Sequence, residues 1–171
     1  MSLSELERVF RALADARVRY LVVGGVAVNV HGYARLTHDL DLVLRLEREN
    51  VVAALAALGA LGYRPLLPVS PEDFADEDVR REWHERRNVE VFSMTADGPA
   101  PTVDLFVREP FDFEAETTRA LVAEIAPGLP VPFARLETLI AMKRATGRTL
   151  DLDDAEHLSR ILELRDEARH E

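Results

Sequence analysis

Leu6, Val9, Phe10 and Leu13 recur at intervals of three and four residues, the period of one helix face. Ser2 and Ser4 each precede a glutamate by three positions (Glu5, Glu7), the capping-box pattern that starts a helix, so an amphipathic first helix is predicted to end near Ala16. The pattern then changes. Arg17 to Gly24 is a β-rich run suited to a buried strand, and Gly25 to Gly32 reads as a short helix over it. From His38 to Leu44 a second strand places Asp39 and Asp41 on one face and Leu40 and Leu42 on the other, because side chains alternate with period two. Asn50 is the predicted cap of a helix through Ala60 that is apolar nearly all round. Tyr63 to Leu67 is predicted as a short strand.

Ser70-Pro71-Glu72 is a helix start, with Ser at the cap and Pro in the first turn. The helix it predicts runs to Arg87, carries apolar residues only at Phe74, Val79 and Trp83, and is a candidate flap. Asn88 to Met94 and Thr102 to Val107 read as hairpin strands around the turn Ala96–Pro101. Thr117 to Ala126 is predicted as helix passing into strand, and Val131 to Phe133 as extended chain. Arg135 to Thr146 is a helix ended by Gly147, and Asp151 to about Arg169 the last helix. The elements predict an α/β (α+β) fold with a mixed sheet flanked by helices, in one domain over residues 1–171 with helices at its C-terminal end.

Composition narrows the picture. An apolar fraction of 47% with 30% charged residues fits a globular chain able to bury a core. The absence of cysteine excludes disulfides and thiolate metal sites, and agrees with the expectation of a cytoplasmic protein. MSLSELERVF has no apolar signal-peptide core, and no apolar run approaches the ~18–20 residues that span a bilayer. A net charge of −10 argues against a broad nucleic-acid surface. Of the 21 basic residues, Lys143 is the single lysine.

Candidate chemistry gathers around YLVVGGVAVNVHGYARLTHDLDLVL. Two carboxylates on one face of an otherwise apolar strand call for a cation. In TVDLFV, Asp104 projects opposite Val103, Leu105 and Val107, so a sheet that sets this strand beside the first acids would bring three carboxylates together. Such an all-oxygen cluster suits Mg²⁺, and two ions about 3.5–4 Å apart can stabilise both the attacking and leaving oxygens of a phosphoryl displacement. Gly24-Gly25, at the strand-to-helix turn, would let backbone amides approach a phosphate. A dinucleotide fold also places glycines there, but VVGGVAVNVHG lacks G-x-G-x-x-G, and that fold leaves Asp39 unexplained. The histidines show no metal spacing, and Asp151 and Asp154 read as first-turn helix acids favoured by the macrodipole.

Gly24-Gly25, the run Arg35-x-Thr37-x-Asp39-Leu40-Asp41, and Val103-Asp104-Leu105 together resemble the nucleotidyltransferase superfamily of DNA polymerase beta. Among its members the chain is most similar to small bacterial and archaeal nucleotidyltransferases related to AbiEii-type toxins, through VEVFSM, PFDFE and LETLIAMKRATGRTLDLDDAEHL. The resemblance implies a palm-type sheet and Mg²⁺-dependent transfer of a nucleotidyl group from an NTP such as ATP to a hydroxyl, with Mn²⁺ as a substitute ion. It assigns Asp39, Asp41 and Asp104 to catalysis and to two metal ions, with Asp104 also helping to deprotonate the attacking hydroxyl. It assigns Gly24, Gly25, Arg35, Thr37, Lys143 and Arg148 to the nucleotide. The implied acceptor is a tRNA end, a protein or a small molecule, the implied partner of a toxin an antitoxin protein, and no membrane is involved. The other reading of the same residues is an inactive nucleotide-binding or regulatory module.

Overall fold

The computed structural model describes residues 1–170. Helix α1 (Leu3–Asp15) starts from the Ser2–Glu5 capping box, so of the two candidate serines the first is used. Strand β1 (Tyr20–Val23) runs straight into helix α2 (Gly24–Val30), and strand β2 (Asp39–Leu44) follows. Helix α3 (Arg48–Ala60) begins earlier than predicted, with Glu47 at its cap position. Asn50 does other work: its amide accepts from the Arg19 N–H and donates to the Arg19 and Arg45 carbonyls, fastening the ends of β1 and β2.

Strand β3 (Arg64–Pro65) is short, and the predicted helix from Ser70 is two helices, α4 (Pro71–Ala75) and α5 (Glu77–Arg87). The break falls at Asp76, whose extended backbone and carboxylate cap α5 by accepting from the Asp78 and Val79 amides. A local cap here overrides a continuous helical pattern. Strands β4 (Val91–Thr95) and β5 (Thr102–Phe106) form the predicted hairpin. Helix α6 (Phe113–Thr118), strands β6 (Leu121–Ala126) and β7 (Leu129–Phe133), and helices α7 (Leu136–Thr146) and α8 (Thr149–His170) complete the chain. Gly147, at φ 66°, closes α7 in the left-handed conformation that glycine takes without strain.

The seven strands form one mixed sheet in the order β3-β4-β5-β2-β1-β7-β6. β2 lies between β1, antiparallel to it, and β5, parallel to it. Pairing of β1 with β7 is confined to Val22 and Phe133. The Ala134 N–H donates to the Val22 carbonyl, so by alternation Pro130 and Pro132 turn the same edge towards β1 and have no N–H to give it.

One face of the sheet carries the main core: Leu40, Leu42, Leu44, Val103 and Leu105 are all fully buried. Phe10 of α1 stacks on Tyr20, and Phe74 of α4 and Trp83 of α5 stack on Phe92, whose strand partner is Leu105. Helices α1, α4 and α5 therefore cover this face, with α3 packed between α1 and α4. The segment from Ser70 to Arg87 is thus a wall of the core: Phe74, Arg80 and Trp83 are buried, and the Arg80 guanidinium donates to the Phe74 and Leu46 carbonyls. On the other face α2 packs on β1 and β2 and touches α7, which lies along α8.

Candidate active site

The strand order decides whether three separated acids become one cluster. Because β2 and β5 are parallel neighbours, Asp41 stands directly opposite Asp104, and Asp39 opposite Thr102. Adjacent strands lie about 4.8 Å apart, and partners in register point their side chains to the same face, so the three carboxylates share one patch of the sheet. They face away from the main core, as the alternation predicts: Leu40, Leu42, Val103 and Leu105 are buried, whereas Asp39 is exposed and Asp41 and Asp104 are half-buried.

Their electrostatics are those of like charges with too little water. Burial, together with Asp104 and Asp39, pushes the Asp41 carboxyl up to about 6; the Lys143 ammonium and the Gly25 N–H pull it the other way. Asp104 is also raised, by burial and by Asp39, against a hydrogen bond from Ser93, its partner on β4. One Asp104 oxygen, Oδ1, is shielded from solvent and has no hydrogen-bond partner. A buried acceptor left without a donor costs about 1–3 kcal/mol, and a bound cation would remove that cost. An all-carboxylate donor set with an unpartnered oxygen fits a hard divalent ion such as Mg²⁺. Among the described residues, no three acid or imidazole groups are already drawn into a closed ligand set. The acids are neighbours in the sheet, and a cation would have to gather them.

The glycines have a steric reason to be where they are. Gly24 has φ +61°, and a Cβ there would overlap the Asp41 carboxylate. A Cβ on Gly25 would fall 2.5 Å from Thr37 Oγ1 and 3.0 Å from an Arg35 guanidinium nitrogen. The start of α2 is thus pressed against the loop that leads into β2. Asn29 holds that loop with a reciprocal pair of 2.9 Å bonds to the Arg35 N–H and carbonyl, and Thr37 Oγ1 donates to the Asp39 carbonyl at 3.3 Å.

The cations predicted for the nucleotide are arranged otherwise. Arg35 Nε lies 3.0 Å from Asp154 Oδ1, and Lys143 Nζ lies 2.5 Å from Asp151 and 2.9 Å from Asp154 Oδ2. Asp154 is 0% exposed. It is not a solvated first-turn acid but the centre of an ionic cluster joining the loop before β2, α7 and α8. Asp151 belongs to it too, accepting from Lys143 and Thr146, which hold its carboxyl low against burial. Lys143 remains near enough to act on Asp41, while Arg148 is exposed and acts on Asp151. The sequence reading missed Ser93 as well, although its alternation with Phe92 and Met94 puts it on the acid face.

A cavity of about 500 Å³ opens at the opposite ends of β2 and β5, lined by Arg45, Arg80, His84, Arg108 and Glu109 among others. It is remote from the acids, since Arg45 and Arg108 follow strands that begin at Asp39 and Thr102.

No family profile matches the chain, and no curated relative matches it. Solved structures do. LnuA, a lincosamide antibiotic adenylyltransferase determined with lincomycin bound, aligns with a TM-score of 0.64 at 13% identity, over 94% of this chain and 98% of its own. ANT(2'')-Ia, determined with adenylyl-2''-tobramycin, aligns with a TM-score of 0.57 at 15% identity, over 98% and 97%. The fold is that of nucleotidyltransferases. Both likenesses cover nearly the full length of each chain, and identities this low speak for the fold alone.

Proposed function

We propose that the chain is a nucleotidyltransferase that moves the NMP group of an NTP, ATP in the first instance, to a hydroxyl. The observation that carries this reading is the in-register pair Asp41–Asp104 on neighbouring parallel strands, with its unpartnered oxygen, on the sheet of a nucleotidyltransferase fold. Asp39, Asp41 and Asp104 would hold two Mg²⁺ ions, for which Mn²⁺ can substitute. Bound there, the ions would neutralise the triphosphate and the charge that develops as the bond breaks.

The protein's own groups do the rest. Gly24 and Gly25 keep the backbone free of Cβ atoms beside Asp41, where the triphosphate is held. Arg35 and Thr37 brace the loop that presents Asp39, and Lys143 supplies a fixed positive field close to Asp41. Asp104 also helps to take the proton of the acceptor hydroxyl as that oxygen bonds to the α-phosphorus and the bond to pyrophosphate breaks. The products are the nucleotidylated acceptor and pyrophosphate.

Incubation with each NTP and Mg²⁺ should release pyrophosphate, and Asp41→Asn should lower that release by about 10⁴-fold, roughly 5 kcal/mol at 1.36 kcal/mol per decade. Equal turnover by the parent and Asp41→Asn would sink the reading. Binding of NTP by both with turnover by neither would favour the nucleotide-binding module instead. A toxin role with an antitoxin partner rests on the sequence resemblance, and is tested by whether induced parent protein, but not Asp41→Asn, arrests growth. Among the described residues no helix is long and apolar enough to cross a membrane.

A further inference from the structure

The acid-bearing face is covered unevenly. Towards β1 it is closed: Leu21, Val23 and Val43 are fully buried, and α2 packs there. Towards β4 and β5 its side chains are half-exposed. Helices α4 and α5 stack on Phe92, which belongs to the other face. The register names what that side presents. Ser93 pairs with Asp104 and Val91 with Phe106, and Thr95 and Thr102 share their face by alternation. All of these side chains are half-exposed, whereas Phe92, Met94, Val103 and Leu105 behind them are buried. Beyond β4, Leu66 donates its N–H to the Ser93 carbonyl and is 60% exposed.

This floor has a definite chemistry. It offers three hydroxyls, from Ser93, Thr95 and Thr102, and two apolar groups, from Val91 and Phe106. The one cation along strands β3 to β5, Arg64, is already paired with Asp97 at 2.7 Å. Arg35 and Lys143, beside the acids, are held by Asp154 and Asp151. Three acids stand at its inner edge. A nucleic-acid backbone needs unpaired cations along its path, and among the described residues strands β3 to β5 offer none. A compact molecule with hydroxyls and an apolar side matches it, and a positive charge on that molecule would be drawn to the acids.

We propose that the acid side of the β4–β5 hairpin is the acceptor floor, and that the acceptor is a small, uncharged or cationic, hydroxyl-bearing compound with an apolar face. This rests on the transferase reading above. Val91, Thr95 and Phe106 then decide which compound is seated, and Ser93, bonded to Asp104, positions that carboxylate.

The test uses a cell extract divided by an ultrafiltration membrane that retains RNA and protein. The full chain, α-labelled NTP and Mg²⁺ are added to each fraction. Label is expected in a new compound of the small-molecule filtrate, distinct from the NTP and from the NMP that water attack leaves. Val91→Arg and Thr95→Arg, each placing a cation on the floor, should lower that labelling by about tenfold or more. The same variants should melt as cooperatively as the parent. Label in RNA or protein, or filtrate labelling untouched by both variants, would overturn the inference and leave the transferase reading standing. Pyrophosphate release that leaves label only in NMP, with no labelled acceptor in either fraction, would overturn it as well. Loss of pyrophosphate release in the parent protein itself is the separate outcome that removes the transferase reading and the acceptor floor with it.

Discussion

Two groups of charge stand within electrostatic reach of each other, and they are composed in opposite ways. Asp39, Asp41 and Asp104 are like charges brought together by strand pairing; burial and mutual repulsion raise two of them, and one oxygen has no partner. Asp154 and Asp151 are answered by Arg35 and Lys143 at 2.5–3.0 Å. The second group has its opposite charges within ion-pair distance and ties the C-terminal helices to the loop before β2. Even so, Asp154 Oδ1, Asp154 Oδ2 and Arg35 Nε, like Asp104 Oδ1, are buried without a hydrogen-bond partner. The first group has Lys143 acting on it from outside, and the proposed ions would supply the rest of its compensation. Burial of charge is common to both, so burial alone marks neither as functional; the distinction lies in whether the compensating charge is already supplied.

The largest structural effect is expected where compensation is removed. Asp154→Ala strands two cations that are 19% and 10% exposed, and should cost about 3–5 kcal/mol in denaturant unfolding. Glu156→Ala, which removes only an exposed partner of Arg160 on the same helix, should change stability by less than about 0.5 kcal/mol. Equal losses in the two variants would erase the contrast.

A smaller effect of opposite sign is expected at Asp41. Its carboxyl is raised to about 6 in the folded protein, so folding favours the protonated form. That contribution is full below the ordinary carboxylate range and is lost as pH rises through about 6. Asp41→Asn should therefore match the parent near pH 4 and be more stable by up to about 3 kcal/mol near pH 8, measured in EDTA. Millimolar Mg²⁺ should narrow that gap by stabilising the parent alone. A gap that stays constant with pH would show that the acids do not strain the fold.

Gly24→Ala acts on the first group, because the methyl group meets Asp41 while the backbone is held at φ +61°. The left-handed backbone costs about 1–2 kcal/mol, and transfer should fall as Asp41 is displaced. Gly59→Ala, in open space within α3, should stabilise slightly. A Gly24→Ala protein of parental stability and activity would separate the glycine from the acids.

Much of the fold was legible along the chain. The capping box at Ser2, the alternation of β2 and β5 and the closing glycine at 147 are local signals, and each element they predict is present. The departures occur where a side chain answers something distant or strictly local to itself. Asn50 serves β1 and β2 rather than a helix cap, and Asp76 caps a new helix in the middle of a helical pattern. Asp154 looked like any acid in the first turns of a helix, because its partners lie 119 and 11 positions away in the chain.

By itself, then, the sequence determined which face each acid takes, since a period of two is a property of the strand alone. It also determined the bare glycine turn, since only the backbone needs to know that. Tertiary structure decided that β5 lies beside β2 and parallel to it, which turns an isolated Asp104 into the partner of Asp41. It decided too that Lys143 is held between two carboxylates, and that the acid-face side chains of β4 and β5 stay half-exposed. Periodicity fixes direction, but the meaning of a charge depends on which opposite charges, donors and water share its space, and the packed chain alone sets those.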